Sequence, residues 1–221
     1  MAGSRDFSEF VEDFYGAQTV GTSASEGAMW KITDTSSAGS PTYGVVDGSQ
    51  TGEYAITLSS TNEVQNVCLN FNDVLCWGID SLQWVAFRVK ANASYNAASS
   101  LAFGVQGDRN DAIDSIAQHA SFRLIGSNSI VVESDDGTTD IDDKTTGQSL
   151  AATYKWFLVD FTGGKQNVKF YCDGVPLATS TVFDMSAYSG SLQPYVQIQK
   201  TAATATDSVT VDLVGWKLKR L

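Results

Sequence analysis

Few residues of this chain are equipped for bond chemistry. His119 is the only histidine among 221 residues, so a metal centre built on two or three imidazoles is excluded. A Ser-His-Asp nucleophile would have to use that one imidazole, and no G-x-S-x-G elbow accompanies any serine. Placed just ahead of a strand-like run, His119 reads as a partly exposed loop histidine. The densest acidic run is Glu133-Ser134-Asp135-Asp136-Gly137-Thr138-Thr139-Asp140-Ile141-Asp142-Asp143. A retaining glycosidase needs two carboxyl groups about 5 Å apart, one kept protonated by an apolar pocket. Here Asp140-Ile141-Asp142-Asp143 follows turn-formers directly, and aspartates in turns commonly hydrogen-bond their own backbone. No catalytic residue is assigned, and the chain reads as a non-enzyme.

Oxygen-rich clusters can also hold Ca2+, which takes six to eight oxygen ligands. Asp135 and Asp140 in the acidic run are candidate ligands, as are Asp108 and Asp111 in a second cluster with Asn110 and Asp114. Ser134 and Asp136 break the D-x-D-x-D-G spacing, so the reading is a solvated loop with no cofactor, and Ca2+ at either cluster is the alternative. Aromatic rings offer a different chemistry, the stacking of sugars. Trp156 (YKWFLVDF) and Trp216 (DLVGWKL) lie in runs that read as buried. Trp30, Trp77 and Tyr95 lie in less regular stretches and are the better candidates for exposed, sugar-contacting rings, against a reading of core or subunit contact.

The charge balance narrows the partners. With 25 acidic residues against 14 basic ones the net charge is −11, which argues against nucleic acid and against an anionic membrane surface. Lys217, Lys219 and Arg220 form the one small basic cluster. No window approaches 18 consecutive apolar residues, and MAGSRDFSEFVEDF has no apolar h-region, so neither a spanning helix nor a signal peptide is expected. Cys68, Cys76 and Cys172 are an odd number and read as reduced thiols, a Cys68–Cys76 bridge being the alternative.

The elements that must position these residues are strands. Regular runs occur at 53–59, 64–71, 82–90, 100–106, 120–125, 129–134, 154–161, 167–173, 193–200 and 207–218. In QWVAFRV, Trp84, Ala86 and Arg88 share one face and Val85, Phe87 and Val89 the other, a period-2 pattern that places one face in a core. Asp135-Asp136-Gly137 and Asp173-Gly174 are turn signals between strands. Only Arg109–Gln118 has helical spacing and predicts a short surface helix. Thr22–Pro41, rich in Ser, Thr, Gly and Ala, reads as an excursion over the surface. No repeat or linker interrupts the chain, so an all-β, two-sheet antiparallel sandwich is expected. Residues 1–25 would form an arm or first edge strand, and 26–221 one β-sandwich domain.

The last third carries a resemblance. Lys155-Trp156-Phe157-Leu158-Val159-Asp160, Val168-Lys169-Phe170-Tyr171-Cys172-Asp173-Gly174, Leu192-Gln193-Pro194-Tyr195-Val196 and Val209-Thr210-Val211-Asp212-Leu213-Val214 follow in order. The series resembles the laminin-G/concanavalin-like fold, whose glucanases carry carboxylates on a strand in a pattern close to E-x-D-x-x-E, absent here. As a whole, with NDAIDSIAQHASFRL, ESDDGTTDIDD and TSTVFDMSAYSGSLQPYVQIQK, the chain resembles virion structural proteins of tailed bacteriophages. That resemblance implies a capsid decoration protein on the virion surface, assembled in the host cytoplasm. It also implies a homotrimer that contacts the major capsid protein or another virion protein through an N-terminal arm carrying Phe7, Phe10, Phe14 and Tyr15. A first strand completing the protein's own sheet is the alternative for those residues. A lectin-like module that attaches to glycans is the alternative function.

Overall fold

Alternation decides which side of each strand meets the core. In Leu82–Ala91, Val85, Phe87 and Val89 are buried while Trp84, Ala86, Arg88 and Lys90 keep solvent contact. The computed structural model describes residues 7–15, 20–21 and 29–220. The boundary expected at residue 25, and the start of the excursion at Thr22, lie outside the described residues. The strands are β1 Phe7–Glu12, β2 Val20–Gly21, β3 Trp30–Asp34, β4 Thr42–Val45, β5 Tyr54–Thr57, β6 Glu63–Asn70, β7 Trp77–Gly78 and β8 Leu82–Ala91. They continue with β9 Ser99–Gln106, β10 His119–Ile125, β11 Ser129–Asp135, β12 Asp140–Ser149, β13 Lys155–Asp160, β14 Lys169–Cys172, β15 Val175–Leu177, β16 Ser191–Ala203 and β17 Ser208–Lys219.

These strands form two sheets that pack face to face. The eight-stranded sheet runs β15-β14-β13-β8-β17-β5-β4, with β1 also on β17; the nine-stranded sheet runs β12-β11-β10-β9-β16-β6-β3-β2, with β7 on β16. Among the described residues every pairing is antiparallel except β2 with β3. The expected two-sheet sandwich is therefore present, and β1 completes the protein's own sheet through Phe7↔Lys219 to Glu12↔Val214. Asp173 (φ 49°) and Gly174 (φ 78°) turn β14 into β15, the backbone a two-residue hairpin with native twist requires.

Two aromatic clusters fill the space between the sheets. Phe103 of β9 stacks on Phe122 of β10 at 5.3 Å and meets Phe157 of β13 edge-on at 4.9 Å. At the other end Phe71 lies 4.6 Å from Trp30 and 5.3 Å from Trp77, and Trp77 lies 5.1 Å from Trp216. Trp30 and Trp77 are buried in this second cluster and Tyr95 is buried apart from it, so the exposure considered for these three rings is corrected and core packing holds. Trp156, expected inside, is 46% exposed, because its neighbours Phe157 and Val159 take the inward positions.

Two further expectations are corrected. The segment with helical spacing holds only one 3-10 turn, Ile113–Ser115. Within the expected surface excursion, Trp30–Asp34 is β3, paired with β6 through Ile32↔Leu69. The strand β12 was illegible because DIDDKTTGQS has no apolar alternation; it is a charged edge strand, a sequence that discourages edge-to-edge pairing.

Candidate functional site

The outward face of the nine-stranded sheet is polar yet largely covered. On β6, Val67 and Leu69 point to the core, so Asn66, Cys68 and Asn70 point outward; on β16 the same phase sends Gln193, Tyr195, Gln197 and Gln199 outward. His119 and Arg123 of β10 and Glu133 of β11 continue that layer. The cover is the β9–β10 connection, residues 107–118, which folds back across the face. Ile113 and Ile116 press onto Cys68, Ala102 and Tyr195, forming a small second core. Amides sew the strap down. Gln197 Nε2 donates to Asn110 O at 2.9 Å and Asn66 Nδ2 to Asp111 O at 2.9 Å. Ile113 N donates to Gln199 Oε1 at 3.2 Å, and Gln193 Nε2 to Gly107 O at 3.0 Å. These bonds satisfy the amide donors of Gln197, Asn66 and Gln193.

At the end of the strap lies a buried charge network. Glu133 accepts from His119 Nε2 at 2.5 Å and from the Arg123 guanidinium. Arg123 also reaches Asp114 at 2.7 Å and stands 3.4 Å from Asp143. Burial raises the Glu133 carboxyl, but the hydrogen bond and charge of His119 and the Arg123 guanidinium override it and hold it well below the usual carboxylate range. Asp143 is pushed up to about 6: burial raises it first, and the hydrogen bond and charge of Glu133 with the charge of Asp142 outweigh the pull of Arg123 in the other direction. His119, expected to be partly exposed, is buried, its Nδ1 2.8 Å from Ile116 O.

Two carboxyl groups with separated protonation preferences are what acid-base chemistry uses. Here the ionised one is paired with Arg123 and buried beside the strap, its side chain 4% exposed. The acidic groups whose ligand atoms converge within 4.8 Å are Asp114, Glu133 and Asp142, a set that no motif announced. Arg123 is already paired with two of the three, Asp114 and Glu133. The residues singled out by sequence are spread elsewhere. Asp111 Oδ1 accepts from Thr35, Asn66 and Arg109, Asp135 Oδ1 caps Gly137 N at 2.7 Å, Asp140 pairs with Asp135 across β11–β12, and Asp108 is exposed.

Of the arm residues, Phe7 begins β1; Phe10 and Tyr15 are exposed, and Phe14 is buried against Trp30. Phe14 is therefore removed from any contact surface. The cysteines are free, Cys68 and Cys172 buried and Cys76 exposed, in keeping with reduced thiols. No helix among the described residues is long and apolar enough to cross a membrane. Beside the strap a groove of ≈ 370 Å³ remains open, lined by Thr35, Asn66, Ser100, Asp111, Gln199 and Thr201 among others.

No protein-family model and no curated protein matches the chain. Solved structures do. The β-glucanase of Bacillus licheniformis superposes with a TM-score of 0.63 at 12% identity, over 94% of this chain and 97% of that one. The carbohydrate recognition domain of Emp47p gives 0.55 at 13% identity, over 87% and 89%. Protein SO2946 of Shewanella oneidensis MR-1, of unknown function, gives 0.58 at 14% identity, over 96% and 87%. The fold is thus a concanavalin-like jelly-roll β-sandwich, one shared by carbohydrate-recognition domains and by glycoside hydrolases; identities this low carry the fold and nothing finer.

Proposed function

We propose that this chain is a non-enzymatic binding domain, displayed on a tailed-bacteriophage virion as a capsid decoration protein. The observation that supports the non-enzymatic part is the state of Glu133. It is locked to Arg123 and His119 beneath the chain's own strap, where a hydrolase would leave a carboxylate open to substrate. The virion setting rests on the sequence resemblance, with free thiols and a strongly acidic surface in keeping with it. Its partner is then the major capsid protein or another virion protein. The test has two arms. The chain should be recovered, by mass spectrometry, with density-gradient-purified particles from its source. The purified protein should release no reducing ends from β-glucans or mucin O-glycans. Release that disappears in Glu133→Gln or Asp142→Asn would overturn the reading and make the chain a hydrolase.

One observation favours a second reading, attachment to glycans. The groove beside the strap sets polar groups such as Ser100, Gln199 and Thr201 among apolar surface from Val64, Ala98 and Ala112, the mixture with which a binding groove orients a ligand. Binding on a glycan array that is weakened by Ser100→Trp, a substitution that fills the groove, would establish it.

A further inference from the structure

The outward face of the eight-stranded sheet is used by neither reading. Successive register partners place Pro176, Tyr171, Leu158, Ala86, Gly215 and Val11 in one row across β15, β14, β13, β8, β17 and β1. None of the six is charged, and at the usual strand spacing the row is about 24 Å long. The row on one side is Lys169, Asp160, Trp84, Lys217 and Glu9; on the other stand Trp156, Arg88 and Leu213. The two ends of the band differ. At the β1 end Val11 protrudes, 64% exposed. At the β15 end opens a groove of ≈ 470 Å³ lined by Tyr171, Pro176, Leu177 and Val182 among others.

Charge identifies the occupant. On this face Arg88 pairs with Asp212 at 2.5 Å, Lys90 with Glu53 at 3.6 Å, and Lys217 with Glu9 at 2.6 Å, and Lys169 stands opposite Asp160 in the ladder. Its charges cancel, so the net −11 of the chain lies elsewhere. Two copies of so acidic a protein repel each other in most orientations; face to face across this band they do not.

We infer that this face is a self-association surface, on which a second copy packs about a two-fold axis near Ala86. With that axis running along the strand direction, each copy's Val11 end falls on the other's groove at Tyr171, Pro176 and Val182, as an isologous contact requires. The pair is two-fold, not the trimer that the family resemblance implies. Three rows span about 20 Å, giving a footprint on the order of 500 Å², below the roughly 800 Å² per partner of a standard stable interface. The dimer is accordingly weak, with a dissociation constant in the micromolar range.

Sedimentation velocity of the full chain up to about 500 μM tests this. Wild type is expected to move from monomer to dimer with concentration. Leu158→Lys and Val11→Asp, both outside the core, should raise the dissociation constant at least about tenfold, as burying unpaired charge in an interface does, and leave the melting temperature in place. As a second readout, Val11→Cys and Val182→Cys proteins are prepared separately with Cys76→Ser and mixed under mild oxidant; they should give a cross-linked heterodimer. A protein that stays monomeric, a trimer, or a dimer that ignores both charge variants and gives no cross-link would overturn the inference. So would a monomer that binds glycans and loses them in Trp156→Ala, which would assign the face to a sugar.

Discussion

Arg123 is the group on which the covered face depends, and replacing it with methionine is the sharpest test of that account. Its side chain is 5% exposed and Glu133's is 4%. Arg123→Met keeps the aliphatic stem but leaves Glu133 with His119 alone, and it removes the cation from Asp114 and Asp143. Breaking a buried pair by deleting one partner typically costs about 3–5 kcal/mol, because the other charge stays buried and uncompensated. In a domain of this size that corresponds to a drop in melting temperature on the order of 10 °C. Urea titration at pH 7, followed by tryptophan fluorescence, measures the loss directly. At pH 4 the gap should narrow, since the abandoned carboxyls can take up protons. The double variant Arg123→Met/Glu133→Leu should recover most of the stability, since an apolar pair of similar volume removes both desolvation penalties. A loss below about 1 kcal/mol for the single variant at pH 7 would refute the claim that Glu133 is held in the fold as an ion by Arg123.

Acid should act through the same residues with opposite signs. Glu133 is held at about 2 in the fold against 4.5 when free, so the unfolded chain binds its proton first. Its stabilisation is present above pH 4.5 and is lost as the pH falls toward 2, seen as a falling urea midpoint. Asp143 sits at about 6 against 3.8; its favourable contribution is present below 3.8 and is lost as the pH rises toward 6. Asp143→Asn is therefore expected to raise the melting temperature at pH 7 and to leave the acid limb intact. Phe103→Ala removes a fully buried ring that touches Phe87, Phe122 and Phe157 and should cost about 3–5 kcal/mol in chemical denaturation. Burial pushes the Cys68 thiol up to about 12 and the Cys172 thiol up to about 11, so a maleimide at neutral pH should label Cys76 quickly and the other two only on unfolding; fast labelling of Cys68 would mean that the strap opens.

What the residues determine by themselves is local: the phase of strands and the chemistry of turns. The inward set Val85, Phe87, Val89 and the Asp173-Gly174 hairpin follow from period-2 alternation and tolerance of positive φ, and both stand in the structure. Trp156 was legible by the same rule, since Phe157 and Val159 can face inward only if Trp156 faces out. Burial at the open end of the sandwich was not. Trp30 and Trp77 sit in short, irregular strands, and only the approach of Phe71 and Trp216 from distant parts of the chain closes that end of the core over them. The covered face lay equally beyond local reading. The segment 107–118 has helical spacing, but its isoleucines find Cys68, Ala102 and Tyr195 on three different strands, and those contacts override a marginal helix. The charge network needs Arg123, Glu133 and Asp114 from three separate segments to meet within hydrogen-bonding distance. Sequence supplied the residue types. Whether those carboxylates were solvated, catalytic or locked to an arginine depended on distances between strands, which only the packed sheets decide.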